Sequence, residues 1–354
     1  MTKYKVSFPH LGNYYVPLER LFTRGLDVDY VVPPVITKKT LELGSLHSPD
    51  YICAPFKFNM GNYIETIEKG ADTLVQTGGV CRLRYYGELQ SQILKDLGHD
   101  VRFITLSQGA LSKPVTLYQS FKEINPAMSV KQIGSTLPMV MTMIETMDKV
   151  EDFVRKNSGF QTSPGILEAI HEDFLQQLRL TDSKKDVKKL YKKTTDHLLE
   201  VPLNKPHNPI RVGVIGEYYT IMEPFSNHDI EKELAKKGIV VDRWINLTNT
   251  VLRKDWKRKK RVRRYTKYSM GATSMFTVDQ ALRFAKQKYD GIIHVKSFGC
   301  TPEMDAMPVL QNISRDFNIP ILYFTFDSQT SDTGIQTRLE AFYDMIMMRK
   351  GGLL

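Results

Sequence analysis

The chain has 354 residues, 42% hydrophobic and 25% charged, a balance that excludes intrinsic disorder or a collagen-like architecture as the main state. No apolar run approaches the ~18 residues of a membrane span, and the start Met1-Thr2-Lys3-Tyr4-Lys5 lacks the apolar core of a signal peptide, so a cytoplasmic location is expected. The net charge of +10 favours anionic partners. In chain order, a short strand over 6–9 is followed by an amphipathic stretch over 17–23 and a second strand near 28–32. A helical pattern follows Thr37, and 51–53 closes a third short apolar segment before a helix over 56–69. Strand 73–76, an amphipathic helix over 85–97 and strand 101–105 continue an alternation that indicates parallel βαβ units.

The middle of the chain reads differently. From 129 to 197 almost every segment is helical, with an apolar-rich stretch at Met139, Met141, Met143, Ile144 and Met147 and a break at Ser163-Pro164-Gly165. A basic run over 184–193 leads into Pro202, Pro206 and Pro209, a cluster expected at a linker or domain edge. The βα pattern then restarts with strand 210–215, helix 229–237 and strand 239–244. Helix 278–289, strand 291–295, helix 303–317, strand 321–326 and a terminal helix over 336–349 follow. The expected organisation is an N-terminal α/β domain over 1–125, a helical segment over 126–204 and a C-terminal α/β domain over 205–354. No short internal repeat stands out, although the two βα halves are able to share an architecture.

Three cysteines, Cys53, Cys81 and Cys300, are too few and too far apart for a disulfide framework or a zinc-finger spacing. Taken alone, each is a small buried hydrophobe. Their surroundings say more. Cys53-Ala54-Pro55 and Cys300-Thr301-Pro302 both read as strand, Cys-x-Pro, helix. Proline at the first helical position is preset for the helix, so each cysteine would stand just outside a helix N-terminus, where a thiolate is favoured. Cys81 follows strand 73–76 and Gly78-Gly79 and precedes another helix. All three are then expected at the C-terminal ends of parallel strands, the edge where open α/β sheets bind ligands. Two come from the first α/β domain and one from the second, so a shared site would bridge the domains. Three thiolates without a fourth suggest a metal centre with an open position, and soft thiolates suit iron and sulfide. His294 is a candidate fourth ligand, but it falls inside a strand, where a hydrogen-bonded core histidine is the plainer reading. Arg82 and Arg84 flank Cys81, either to offset negative charge or as an exposed pair.

Longer stretches carry a resemblance. They are Cys53-Ala54-Pro55-Phe56-Lys57 with Gly61-Asn62, Cys81-Arg82 with Tyr85-Tyr86-Gly87 and Gln90, and Gly216-Glu217-Tyr218 with Glu223-Pro224-Phe225. Phe298-Gly299-Cys300-Thr301-Pro302-Glu303 and Thr337-Arg338-Leu339-Glu340-Ala341-Phe342 complete the series. The chain resembles the iron–sulfur subunits of the 2-hydroxyacyl-CoA dehydratase and benzoyl-CoA reductase superfamily, in the branch of CoA-protein activase-like chains. The resemblance implies two Rossmann-like α/β domains with parallel sheets plus a helical insertion. It implies one [4Fe–4S] cluster per chain, held by Cys53, Cys81 and Cys300. An ATP-hydrolysing activator with an actin-like fold is the implied electron donor, and a homologous subunit in a homo- or heterodimer is a further implied partner. In the dehydratases the electron passes to a CoA thioester and forms a ketyl radical, which makes an acyl-CoA the candidate substrate and a lyase or reductase the candidate activity. Relatives with a double-cubane cluster use six cysteines, so three here argue for a single cubane.

Glu217, at a strand end, is a candidate general acid or base, or a structural hydrogen-bonded carboxylate. Glu303, at the start of the helix after Cys300, either stabilises that helix N-terminus or handles a proton. Gly213-x-x-Gly216 is only part of a nucleotide-binding loop. Lys57 falls in the first turn of its helix, near Cys53 or exposed. Residues 253–267 are strongly basic and are interrupted by Trp256 and Tyr265, with Tyr268 just beyond. That run reads as a solvated face or as a dock for an acidic activator or CoA phosphates; no RNA- or DNA-binding motif accompanies it. Two function classes follow. One is a catalytic or purely electron-transferring iron–sulfur protein. The other is a basic α/β binding protein with structural cysteines.

Overall fold

Two runs of alternating strand and helix build two sheets. The computed structural model describes residues 3–77, 81, 83–106, 114–253, 255–268, 270–271 and 273–351. The first run comprises β1 (Lys5–Ser7), α1 (Tyr15–Arg20), β2 (Asp29–Tyr30), α2 (Lys38–Leu46), α3 (Ala54–Glu68), β3 (Thr73–Thr77), α4 (Leu83–Asp96), β4 (Arg102–Leu106) and α5 (Pro114–Ile124). Helices α6 (Val130–Asn157), α7 (Ile166–Arg179) and α8 (Lys184–Glu200) follow. The second run opens with β5 (Ile210–Gly216), α9 (Tyr218–Met222), α10 (Ile230–Lys236), β6 (Ile239–Arg243), α11 (Arg258–Val262) and α12 (Ser274–Lys286). It closes with β7 (Gly291–Ser297), α13 (Thr301–Phe317), β8 (Ile321–Phe326) and α14 (Asp332–Lys350).

Among the described residues the strands form two four-stranded sheets, ordered β2-β1-β3-β4 and β6-β5-β7-β8, with the neighbouring strands parallel. Each order is second, first, third, fourth, so the two halves share one topology. The molecule is an α/β protein of two Rossmann-like sheets. In such sheets the order reverses between the first and third strands, and ligands bind beyond the carboxyl ends at that switch. The switch lies between β1 and β3 in one sheet and between β5 and β7 in the other. The chain divides into two compact units, Met1–Thr146 with Leu175–Leu190, and Met147–Phe174 with Tyr191–Leu354. Helices α6, α7 and α8 therefore each contribute residues to both units.

Parallel strands covered on both faces read as apolar runs. Leu74 and Val75 are adjacent in β3 and point to opposite faces. Leu74 joins Phe56, Met60, Tyr63 and Leu94, while Val75 joins Val6, Ile104, Phe121 and Ile124. The core of the second unit gathers Ile292, Val278, Leu282, Phe284, Leu310 and Ile313. Glycines set the tightest contacts. A Cβ on Gly61 would lie 1.9 Å from the Thr40 carbonyl oxygen, so α2 and α3 touch backbone to backbone. A Cβ on Gly213 would lie 2.3 Å from the Phe284 ring, and one on Gly216, at φ +138°, 1.8 Å from the Val295 oxygen. Packing thus accounts for both glycines of the partial nucleotide-binding motif.

One expectation fails. No strand precedes Cys53: residues 47–53 form a turn between α2 and α3. Pro49 has no N–H to give a sheet ladder, and of the short apolar pair Tyr51-Ile52 only Ile52 packs on the core while Tyr51 is exposed, so the segment turns instead of pairing. Among the described residues no helix is long and apolar enough to cross a membrane.

Candidate functional site

Cys53 is the N-cap residue of α3, at φ −66° and ψ 151°, with proline in the first turn and no bond from its side chain to the helix end. Helix α3 reaches β3 through a short turn, so its start lies toward the carboxyl edge of the sheet, as in any βαβ crossover. Cys53 thus reaches the expected edge without the expected strand. Its Sγ lies 3.5 Å from the hydroxyl oxygen of Tyr86 in the first turns of α4. Cys81, half-buried, stands between β3 and α4. Gly78, Gly79 and Arg82 lie outside the described residues, as does the side chain of Arg84. Within α3, the fully buried Asn62 accepts from the His10 N–H at 2.9 Å and donates to the Pro34 carbonyl at 2.8 Å. That amide ties α3 to the chain just past β1, at the switch point. Lys57 donates to the Asp50 carbonyl at 3.3 Å, within the turn that delivers Cys53.

Cys300 repeats the cap. It precedes α13 at φ −70° and ψ 93°, again with proline in the first turn, and follows Gly299 at φ +73°. Cys81 and Cys300 each follow the third strand of their sheet, and Cys53 comes one crossover earlier. Behind Cys300 lies a buried polar cluster. Glu303 Oε1 accepts from Thr273 Oγ1 and from Thr277 Oγ1, the latter at 3.1 Å. Glu303 Oε2 takes a hydrogen bond from His294 Nε2 at 2.8 Å. Both Glu303 and His294 are fully buried, and His294 Nδ1 has no hydrogen-bond partner among the described residues. His294 is thus a hydrogen-bonded histidine inside β7, as its place in the strand suggests. Lys296, two residues on and 6% exposed, was missed from sequence. It lies one residue past the strand read from sequence, 291–295, and only the extension of β7 to Ser297 places it in the sheet. Burial pushes its ammonium pKa down, and the nearby Cys300 and Glu303 pull it back up.

Glu217 caps α9. Its carboxylate accepts from the N–H groups of Tyr219 and Thr220, both at 2.9 Å, and from Thr220 Oγ1 at 2.7 Å. Burial pushes this carboxyl up, against the pull of those hydrogen bonds, and the charge of Glu303 adds to the rise. Glu217 and Glu303 therefore share one neighbourhood, past β5 and β7, where the second sheet switches order.

Comparison with known families bears on this unit directly. The sequence model of the family described as 2-hydroxyglutaryl-CoA dehydratase, D-component, matches residues 144–346, more than half of the chain. The chain belongs to this family. The match takes in the whole second sheet with Glu217, Cys300 and Glu303, while Cys53 and Cys81 precede it. No curated protein matches the chain.

Among the described residues no group of three or more His, Cys, Asp and Glu side chains is gathered to hold a metal ion. The donor chemistry nevertheless fits a thiolate-held cluster. All three cysteines are half-buried, and Cys53 and Cys300 are each the N-cap residue of a long helix, whose N-terminus favours negative charge.

The basic run divides in two. Arg258 lies over the Phe276 ring at 3.9 Å and the Trp244 ring at 5.3 Å. Arg261 bridges Asp255 and the fully buried Asp279, which Arg283 also reaches. These arginines fasten α11 to α12. The rest is solvated: Lys257, Lys259, Lys260, Arg263 and Lys267 are exposed beside Trp256 and Tyr268, each 84% exposed.

Proposed function

We propose that Cys53, Cys81 and Cys300 together ligate one [4Fe–4S] cluster, and that the protein takes low-potential electrons from an ATP-hydrolysing activator for reductive or radical chemistry on an acyl-CoA. The reading is supported by family membership and, above all, by one observation: the same Cys-x-Pro helix cap occurs in both units, on α3 and on α13. A cluster with three cysteine ligands supplies an electron store and an iron corner open to an exogenous ligand. The chain's own residues do the rest. The two helix N-termini favour the thiolate forms, and Lys296 opposes the negative charge that collects at Cys300. Glu303 is the carboxylate assigned to proton handling, because one of its oxygens, Oε2, faces a titratable partner, Nε2 of His294. Glu217, with both oxygens committed to α9, keeps the turn after β5 in place. The solvated lysines around Trp256 offer the activator a cationic face, and a homologous subunit completes the assembly.

Anaerobic purification with iron and sulfide analysis tests this. Brown protein with about four irons per chain is expected for a cubane cluster, and Cys300→Ala should lose most of the iron. Colourless wild-type protein, or full iron in Cys300→Ala, would overturn the assignment. An acyl-CoA that leaves the electron paramagnetic resonance of the reduced protein unchanged would reduce the role to electron transfer.

A further inference from the structure

Tyr86, Gly87 and Gln90 carry no group that the proposed chemistry uses, yet all three are buried in α4. Gly87 has no room for a side chain: a Cβ there would lie 2.1 Å from Thr105 Oγ1 and 2.8 Å from Gln76 Oε1. Helix α4 therefore lies hard against β3 and β4. That approach sets the Tyr86 ring edge-on to Phe56, centroids 4.8 Å apart at 90°, and brings Gln90 Nε2 within 3.4 Å of the Phe56 carbonyl oxygen. Phe56 is the third residue of α3, so α4 grips the first turn of the helix that Cys53 caps. The Tyr86 hydroxyl ends this grip 3.5 Å from Cys53 Sγ, within hydrogen-bond range for sulfur.

We infer that Tyr86 is a positioning residue for the Cys53 sulfur: its hydroxyl donates a hydrogen bond that fixes the thiolate's direction and withdraws charge from it. The inference rests on the cluster reading above. A thiolate, or a sulfur bound to iron, has no proton to give, so the phenol is the donor. Hydrogen bonds to cluster sulfurs are one of the means by which a protein sets reduction potential. Adding an electron makes the cluster more negative, so a donated hydrogen bond stabilises the reduced state more than the oxidised one. Removing the hydroxyl must then lower the potential. Tyr4, 42% exposed, stands just before β1 at the amino edge of the sheet, opposite the edge that Cys53 reaches, and serves as the control.

The test uses cluster-loaded protein in three forms: wild type, Tyr86→Phe and Tyr4→Phe. Tyr86→Phe keeps the ring and its contact with Phe56. Redox titration followed by electron paramagnetic resonance should show wild-type iron content and a lower midpoint potential for Tyr86→Phe, and no shift for Tyr4→Phe. Loss of iron from Tyr86→Phe alone, with wild-type circular dichroism, would support the same role through a larger effect. An unchanged potential in iron-replete Tyr86→Phe would overturn the inference and leave the cluster reading standing. Wild-type protein that binds no iron would instead overturn the cluster reading, and this inference with it.

Discussion

The helix that begins at Cys53 buries Phe56, Phe58, Met60 and Tyr63, whereas the helix that begins at Cys300 rests its first turn on Glu303, His294, Thr273 and Thr277. The cap is the same and the support is opposite. Apolar packing holds the helix turn behind the first cysteine, with the Tyr86 hydroxyl in reach of its sulfur; the hydrogen-bonded Glu303 cluster and a buried lysine lie behind the second. Packing responds to volume and is indifferent to pH and salt, while a buried polar cluster responds to the loss of any single partner. A cysteine cap is thus a local device that either kind of core can carry, and the two units should fail under different insults.

The largest difference is expected for Phe56→Ala. Emptying the site of a fully buried ring should cost about 4 kcal/mol. Hydrogen exchange read peptide by peptide should show α3 and α4 losing protection while α12 and α13 keep theirs. Equal loss in both sets would break the comparison, because it would mean that the two supports melt as one. Glu303→Ala should act the other way round. It takes the acceptor from a buried imidazole and from the Thr273 hydroxyl, and leaves Thr277 only the Gly216 carbonyl, at about 3 kcal/mol. Exchange should then rise in α12, α13 and β7. Glu303→Gln should cost less, since an amide oxygen still accepts. Urea unfolding that finds Glu303→Ala as mild as a surface change would show that the polar cluster carries no load.

The sequence made the capping device legible, because proline two residues after a cysteine is a local signal with a local cause. The parallel sheets were legible too, from short apolar runs alternating with helical periods. What failed at Cys53 was the inference of a strand from two apolar residues, when Pro49 and an exposed Tyr51 decide for a turn. The contact between Gly44 and Gly61 was not readable, because it depends on two helices meeting, not on either one's pattern. Lys296 escaped for the same reason: its meaning comes from Cys300 and Glu303 beside it. The division of the basic run into Arg258 and Arg261 turned inward and lysines turned out depends on Asp279, which lies in the next helix.

A smaller contrast concerns the two prolines. Both preset the first helical turn, and replacing either by alanine frees the unfolded chain at about 0.5 kcal/mol. Pro55 is buried and Pro302 only half-buried. Pro55→Ala therefore also loses ring carbons from the core, which brings its expected cost to about 2 kcal/mol. Chemical denaturation of both variants checks this. Equal costs would remove packing as the feature that distinguishes the Cys53 side.

A small effect is expected from acid, and it sharpens the contrast by reaching the polar side through Asp255. Helix α12 carries Thr277, a donor to Glu303, and two residues on Asp279, which shares Arg261 with Asp255. Asp255 is thus coupled, through that arginine, to the helix that supports the Cys300 cluster. Its hydrogen bond to Arg261 holds its carboxyl at about 2, below the ordinary carboxylate value. A carboxyl depressed in the folded state contributes stability above the unfolded value, about 4, and loses it as pH falls through the folded one. A full shift of that size corresponds to about 2.5 kcal/mol, but the side chain remains 24% exposed, and screening by water brings the expected cost to about 1 kcal/mol. Asp255→Asn should therefore destabilise the protein by that amount at pH 7, and the difference should fade between pH ~4 and ~2. Thermal unfolding across that range, with hydrogen exchange to locate the loss, should place it in α11 and α12 and leave α3 and α4 untouched. An effect independent of pH would mean that Asp255 acts by shape, not by charge, and the second unit's dependence on its ion pairs would have to be given up at this point in the fold.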